Sequence, residues 1–481
     1  MYQIDITIVM SKKIYNYLVP IIISLTLSAC GSGSSSLNTN EEKPRKEEIT
    51  SKAISDVVFI DSNFESCVIN LSNENGWTIV TEVTALSCEA RSIGSAEGIE
   101  DFFALTYLNL SNNLLSSIDI KSNTALTDLK LNNNSLSSID VSNNTELREL
   151  LLSSNNLSSI DVSNNAALTT LFLEKNYLSN IDINNNTLLV NLRIDYNSLN
   201  SINVSNNTEL IDLSLERNQL KNIIVSNNPE LSKLNLDSNG LSDIDISNNT
   251  KLTELYLGDT NRLISIDVSN NTMLKKLYLS RNIDLSSIDV SNNTELTELD
   301  LSHINRNGLN DGYLVIDLSN NTKLKYLNLM NTFLDSIDVS NNAKLTELLL
   351  SRNHLSSIDV GNNTELAELD LSSTNLNNAD ISNNTALTIL NLSSTNLSSI
   401  DVNNNASLTA LVLNQCFLNS IDVSNNTVLK ELYLGYNNLN TIDVSNNIEL
   451  TYLDIGNNPL TTATIEYLES LEGVDVHFDK E

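Results

Sequence analysis

From Leu105 onward, one pattern of apolar and polar positions returns about every 21 residues. Leu126 to Glu146, LTDLKLNNNSLSSIDVSNNTE, is a complete unit: leucine at positions 1, 4, 6 and 11, asparagine at 9, and Ile-Asp-Val at 14 to 16. Sixteen units fill 105–449, thirteen of 21 residues, two of 22 and one of 28, and a seventeenth begins at Leu450. The alternation at Leu129 and Leu131 predicts a short strand with its leucines pointing inward. So short a unit cannot bury its apolar side alone, so successive units must stack and pair their strands side by side. Asn134 and its equivalents (Asn113, Asn155, Asn176, Asn197, Asn218, Asn239) end the strand, where an amide satisfies backbone groups in the bend. Leu136, Ile139 and Val141 then fill the core from the return side. Ile139-Asp140-Val141 reads in, out, in, which predicts an extended return rather than a helix.

An open stack exposes a slice of core at each end and needs covers. At the front, Asp61 and Ser62 cap a predicted helix whose Phe64, Cys67, Val68 and Leu71 fall on one side, and Val83 and Leu86 open an irregular first coil. At the back, Ile465, Leu468 and Leu471 predict a closing helix, and Val474 and Val476 a last short strand.

The unit matches the leucine-rich repeat pattern L-x-x-L-x-L-x-x-N/C-x-L. The front segment, with Gly94-Ser95-Ala96-Glu97-Gly98-Ile99-Glu100, resembles the amino-terminal caps of bacterial internalin-like surface proteins. The resemblance covers 55–481. It implies a leucine-rich repeat solenoid of about 17 coils of 21–22 residues, with a parallel β-sheet on one face and an extended, irregular return side. On this reading 55–104 is a small helical amino-terminal cap, 105–460 the repeats and 461–481 the carboxyl-terminal cap.

The amino terminus reads as an address. Lys12 and Lys13 precede an apolar run, Ile14 to Ala29, too short for a comfortable membrane span. Leu27-Ser28-Ala29-Cys30 resembles the lipobox of bacterial lipoproteins, which implies a signal peptide over 1–29 and a lipidated Cys30. Gly31, rather than Asp, after the cysteine implies outer-membrane sorting, with the body on the surface or periplasmic side. Translation starts at Met1 or at Met10, the latter placing the basic pair close to the start. Residues 30–54 are small, polar and charged and read as a flexible tether.

Composition narrows the function classes. The 481 residues carry 27 Lys+Arg against 60 Asp+Glu, a net charge of −33, which argues against nucleic acid as a partner and against an anionic lipid surface. With three His and four Cys, and no H-E-x-x-H, G-x-S-x-G or phosphate loop, the chain reads as non-catalytic. Cys67 and Cys88 are expected to pair as a disulfide in an oxidising compartment, or to remain two separate buried thiols. Cys416 occupies the asparagine position of its unit and reads as a buried structural thiol. His303 and His354 fall in bends of different coils, without ligand-spaced partners.

Position 15 is aspartate in fourteen of the sixteen units, and stacking would file these carboxylates about 4.8 Å apart. Two readings offset the repulsion. Each carboxylate accepts N–H groups from its own Ser-Asn-Asn turn, or Ca²⁺ bridges neighbours such as Asp338, Asp359, Asp380 and Asp401. Ile224 shows that one coil dispenses with the charge.

The strand face is the expected ligand face. Its outward positions carry Leu151, Phe172, Tyr256, Tyr278, Leu349, Val412 and Tyr433, with Tyr436 beside the last. Exposed aromatics on a rigid sheet suit a protein partner, host or bacterial. The expectation is therefore a monomeric, lipid-anchored cell-surface protein for recognition or adhesion, touching membrane only through its lipid. The alternatives are a structural envelope or spacer protein without a specific ligand, and a carbohydrate-binding surface protein using the same rings. Sixteen acids face twelve bases on this side, so the acidity resides largely elsewhere.

Overall fold

The computed structural model describes residues 51–259, 262–304 and 314–479. The signal-like segment, Cys30, nearly all of the tether and the bulk of the long unit's insertion lie outside the described residues.

The chain is a parallel β-solenoid of about 18 turns, a leucine-rich repeat fold. Its strands are three residues each, from β1 (Ala85–Ser87) and β2 (Tyr107–Asn109) to β18 (Tyr452–Asp454) and β19 (Asp475–His477). Consecutive strands pair in parallel, and the central leucine of one lies opposite the central leucine of the next, as Leu129 does to Leu150 and Leu150 to Leu171. Only the middle residue of a strand points inward. The leucines at positions 1, 4, 6 and 11 are fully buried in nearly every coil, each contributing on the order of 2 kcal/mol of burial. The return side is extended and turn-rich, as its alternation predicts. Val141 is buried there, whereas Ile139 and its equivalents are half-buried against the core.

Two files of asparagine bind coil to coil. At position 9, Asn155 donates its amide to the carbonyls of Leu152 in its own coil (3.0 Å) and Leu131 in the preceding one (2.9 Å), while its Oδ1 accepts the N–H of Leu136 (3.0 Å). Position 9 also accommodates substitutes that keep a bond to the strand: the Thr395 hydroxyl donates to the Leu392 carbonyl at 2.7 Å, and the Cys416 thiol to that same carbonyl at 3.3 Å. The second file, at position 19, lies within the polar Ser-Asn-Asn turn. Asn165 there is fully buried and donates both amide hydrogens to the preceding coil, to Val141 (3.0 Å) and Asn144 (2.8 Å). Sixteen described coils repeat this, and in every one the Oδ1 is buried without a hydrogen-bond partner.

The ends are closed as expected. Helix α1 (Ser62–Asn75) is capped by Asp61, whose Oδ1 accepts from Asn63 and Phe64 and whose Oδ2 accepts from Gly94 (2.7 Å) and Ser95 (3.3 Å). One carboxylate thus ties the helix to the loop of the first coil. Burial pushes its pKa up, but the four backbone N–H bonds prevail and hold it below the usual aspartate value. Cys67 of α1 and Cys88, just beyond β1, form a disulfide. Helix α2 (Thr462–Glu469) closes the other end with Leu468 buried; Leu471 lies past it, and β19 adds the final strand. Cys416 is a buried free thiol.

These bonds rank the two files. Replacing Asn228, at position 19, by Ala removes two donors from buried carbonyls and should cost about 2–4 kcal/mol. Asn239→Thr, at position 9, keeps a donor and should cost about 1 kcal/mol. Thermal and urea unfolding of the two variants measures the difference; equal losses would refute the ranking.

Candidate recognition face

The two outward residues of each strand form the flat face of the solenoid, and the structure sorts the residues expected there into three groups. Tyr256 and Tyr278 come together, with ring centroids 5.1 Å apart and planes within 20°. Leu151, Phe172, Leu349 and Tyr433 are half-buried on the sheet, with Arg193 lying 5.1 Å over the Phe172 ring. The remaining two depart from expectation. Val412 is only 3% exposed, a short side chain in register beside the larger Tyr433, and it presents nothing to a ligand. Tyr436 is 54% exposed, but it sits in the bend after its strand at a φ of 58°, off the sheet.

Two tyrosines that sequence reasoning missed complete the aromatic groups. Tyr326 stacks on Tyr278 at 6.3 Å and 23°, making a row of three rings. Tyr452 lies 5.0 Å from Tyr433 and 5.2 Å from His477, making a second row. Both occupy position 3, the first strand residue, whereas the expected aromatics were followed along position 5. Tyr452 is diagonal to Tyr433 on the next strand, whose Asp454 is in register with Tyr433, whereas Tyr326 reaches Tyr278 from two strands away. Diagonal neighbours are within reach of long side chains on a sheet. The signal was present in the strings Leu324-Lys325-Tyr326-Leu327 and Leu450-Thr451-Tyr452-Leu453.

The hydroxyls of these rings are tied down. Tyr256 donates to Glu254 (3.0 Å), Tyr278 to Glu298 (2.6 Å) and Tyr433 to Glu431 (3.2 Å). Burial, then the adjacent carboxylates, raise the pKa of each phenol. Both faces of the Tyr278 ring are covered by its neighbours, and Lys233 lies 5.7 Å over Tyr256. The Tyr278 ring is therefore flanked by two rings, with the carboxylates of Glu254 and Glu298 at the hydroxyls of the row.

Along and just beyond the strands lie acids displaced from their ordinary values. Burial raises Asp195 to about 6 and Asp237 to about 7, with like charges adding to the shift. Burial, then Glu347 and Asp370, raise Glu368 to about 7. Asp300 and Asp370 are raised as well, again chiefly by burial.

On the return side the aspartate file resolves into local turns. Asp338 accepts the N–H of Ser340 (2.9 Å), Asp359 that of Gly361 (2.9 Å), Asp380 that of Ser382 (3.0 Å) and Asp401 that of Asn403 (2.9 Å). Bonds from the serine hydroxyl and then its N–H lower the pKa of Asp140, Asp161, Asp338 and Asp380. Among the described residues no group of three or more His, Cys, Asp or Glu could hold a metal ion. Each of these carboxylates thus has a backbone donor in its own turn, which is the local arrangement expected of the file. Melting midpoints in Ca²⁺ and in EDTA should coincide; a higher midpoint with Ca²⁺ would restore the bridging ion.

The two sets of acids pull stability in opposite directions. The return-side aspartates have lowered folded pKa values, so their contribution is present above the unfolded value of about 3.9 and is lost as pH falls below it. Asp195, Asp237 and Glu368 have raised values, so between about pH 4 and 7 the folded chain holds protons that the unfolded chain has released. Their ionisation lowers stability as pH rises through 6 to 7. Unfolding followed from pH 3 to 8 should show greatest stability near pH 4–5; a steady rise to pH 8 would contradict these assignments.

No family model matches the chain, and no curated protein matches it. Solved structures do. The functional domain of InlJ from Listeria monocytogenes, described as including a cysteine ladder, is 29% identical with a TM-score of 0.64, covering 79% of this chain and 81% of that one. An internalin of the same organism, InlF, is 25% identical with a TM-score of 0.54 over 73% of this chain and 97% of its own. The leucine-rich repeat ectodomain of the Arabidopsis thaliana receptor kinase GASSHO1/SCHENGEN3, solved with CASPARIAN STRIP INTEGRITY FACTOR 2, is 26% identical with a TM-score of 0.59 over 82% of this chain and 56% of that one. The fold is therefore internalin-like.

Proposed function

We propose that this is a non-catalytic, lipid-anchored surface protein that recognises another protein through its strand face. The observation that carries the reading is the row Tyr256–Tyr278–Tyr326, a rigid aromatic ridge held half-exposed on a flat sheet. Tyrosine on a rigid scaffold supplies contact area at low entropic cost and is enriched where interfaces concentrate their energy. The anchor rests on the lipobox-like Leu27-Ser28-Ala29-Cys30, and with it placement at the bacterial outer membrane. Neighbours of the same fold include a receptor ectodomain solved with its partner, which supports the protein-binding reading.

The carbohydrate alternative fares worse on this geometry. Sugars stack on ring faces, and those of Tyr278 are covered on both sides. A spacer without a ligand does not require half-exposed rings in register.

The test is Tyr256→Ala with Tyr278→Ala, set beside Asp338→Asn with Asp359→Asn on the return side. Retention from intact cells and host extracts identifies a partner, and titration then measures its affinity. The tyrosine variant should lose about tenfold or more while circular dichroism stays unchanged, and the return-side variant should bind normally. Unaltered affinity in the tyrosine variant would remove the ridge from the interface.

A further inference from the structure

The two ends of the solenoid are not closed to the same degree. At the amino-terminal end Phe64, Val68, Val80, Val83 and Leu86 are all fully buried. At the carboxyl-terminal end Val476 stands in register with the fully buried Leu453, yet is itself only half-buried. Val474 and Phe478, two residues away in either direction and so on the same side of the strand, are half-buried as well, and so is Leu471. A terminal coil needs a polar outer face, and this one leaves a slice of core partly uncovered.

The backbone of β19 also has one side open. Among the described residues β19 pairs with β18 alone. The Asp475 N–H points back to the Thr451 carbonyl (2.9 Å), and the His477 carbonyl accepts from the Ile455 N–H (2.8 Å). Alternation along the strand therefore turns the N–H and C=O of Val476 the other way, toward the open edge. Sheet edges are commonly blunted by lysine or proline, and Val474 to Asp479 contains neither. The outward side chains are Asp475 and His477, both exposed and 3.4 Å apart, with the His477 ring centroid 5.2 Å from that of Tyr452.

We propose that this edge joins a second copy of the chain, the two β19 strands running antiparallel about a twofold axis at Val476. The strand is self-complementary about that residue. Val476 meets its own counterpart and the two exchange both backbone bonds, while Val474 of one copy lies across from Phe478 of the other and covers the slice of core. On the outward side Asp475 of each copy faces His477 of the other, twice by symmetry, so every carboxylate meets an imidazole. Parallel pairing in the same register would set Asp475 against Asp475. A twofold axis normal to the sheet leaves both strand faces pointing the same way, and the dimer carries two tyrosine ridges on one continuous sheet. Two ridges engage a repetitive surface more tightly than one. The dimer takes the place of the monomer expected from the sequence, and it does not depend on what the strand face binds.

The test is sedimentation of the full chain in non-ionic detergent over a range of concentrations, which should show a reversible monomer–dimer equilibrium. His477→Asp sets like charges opposite one another at both contacts and should weaken the dimer about tenfold. Asp475→His with His477→Asp restores opposite partners and should return association close to that of the parent. Both variants lose the same ring contact with Tyr452, so damage to the strand itself would leave them alike. Asp475→Cys mixed with His477→Cys should crosslink under mild oxidation far more than either variant alone, as antiparallel pairing requires. A chain that stays monomeric at every concentration, a dimer unmoved by His477→Asp, or an exchanged pair that fails to restore association would overturn the proposal. Each of those results leaves binding at the tyrosine ridge to its own test.

Discussion

Everything in this fold depends on a short coil being fastened to its neighbours, and asparagine does the fastening. Backbone bonds join the coils along the strand and its flanks, as from the Leu131 N–H to the Leu151 carbonyl, but the extended return side has no sheet of its own. The carboxamide at position 19 compensates by donating both hydrogens across the coil boundary from a fully buried site, as Asn165 does to Val141 and Asn144. The position-9 amide performs the same service at the end of the strand and braces the bend before it. That bend holds residues such as Ser154, Lys175 and Arg217 in the left-handed region, at φ of 58°, 55° and 51°, where a side chain costs about 1–2 kcal/mol. Leucine supplies the bulk of the driving force, but leucine is non-directional; the amides set the register.

With the interior occupied in this way, each coil leaves few positions free to vary. On the flat face these are the two outward residues of each strand, and there the chain departs from its own monotony. Tyrosines gather in two rows, base–acid pairs run through the first half, and the strands of the second carry acids without a lysine or arginine. On the return side the variation is small: aspartates repeat in coil after coil, each accepting hydrogen bonds from its own turn. The overall charge of −33 therefore conflates two things, a turn-forming file that repeats with the fold and a concentrated patch that does not.

Much of this was legible in the residues. The repeat length, the inward leucines, the position-9 asparagines and the Asp61 cap follow from patterns with a local physical cause, and the structure bears them out; the Cys67–Cys88 disulfide is one of the two arrangements the residues allowed. The position-19 file was not legible, because Ser-Asn-Asn-Thr reads as an exposed turn and nothing in the string distinguishes the exposed Asn164 from the buried Asn165. Tyr326 and Tyr452 escaped the sequence reading because their ring contacts link position 3 of one coil to position 5 of another, which a column-by-column reading separates. Val412 was misplaced for the converse reason: an outward position is exposed only if its neighbours are no larger than it is. Local periodicity was visible, and packing between coils was not.

The most direct test of the ladder account is hydrogen exchange of the asparagine side chains themselves, followed by NMR on protein labelled at asparagine. The account predicts that the carboxamide hydrogens at position 19, from Asn123 to Asn447, exchange as slowly as the backbone amides of the strands. Exchange at the rate of an exposed side chain such as Asn180 would contradict it, leaving the leucines to hold the coils in register alone.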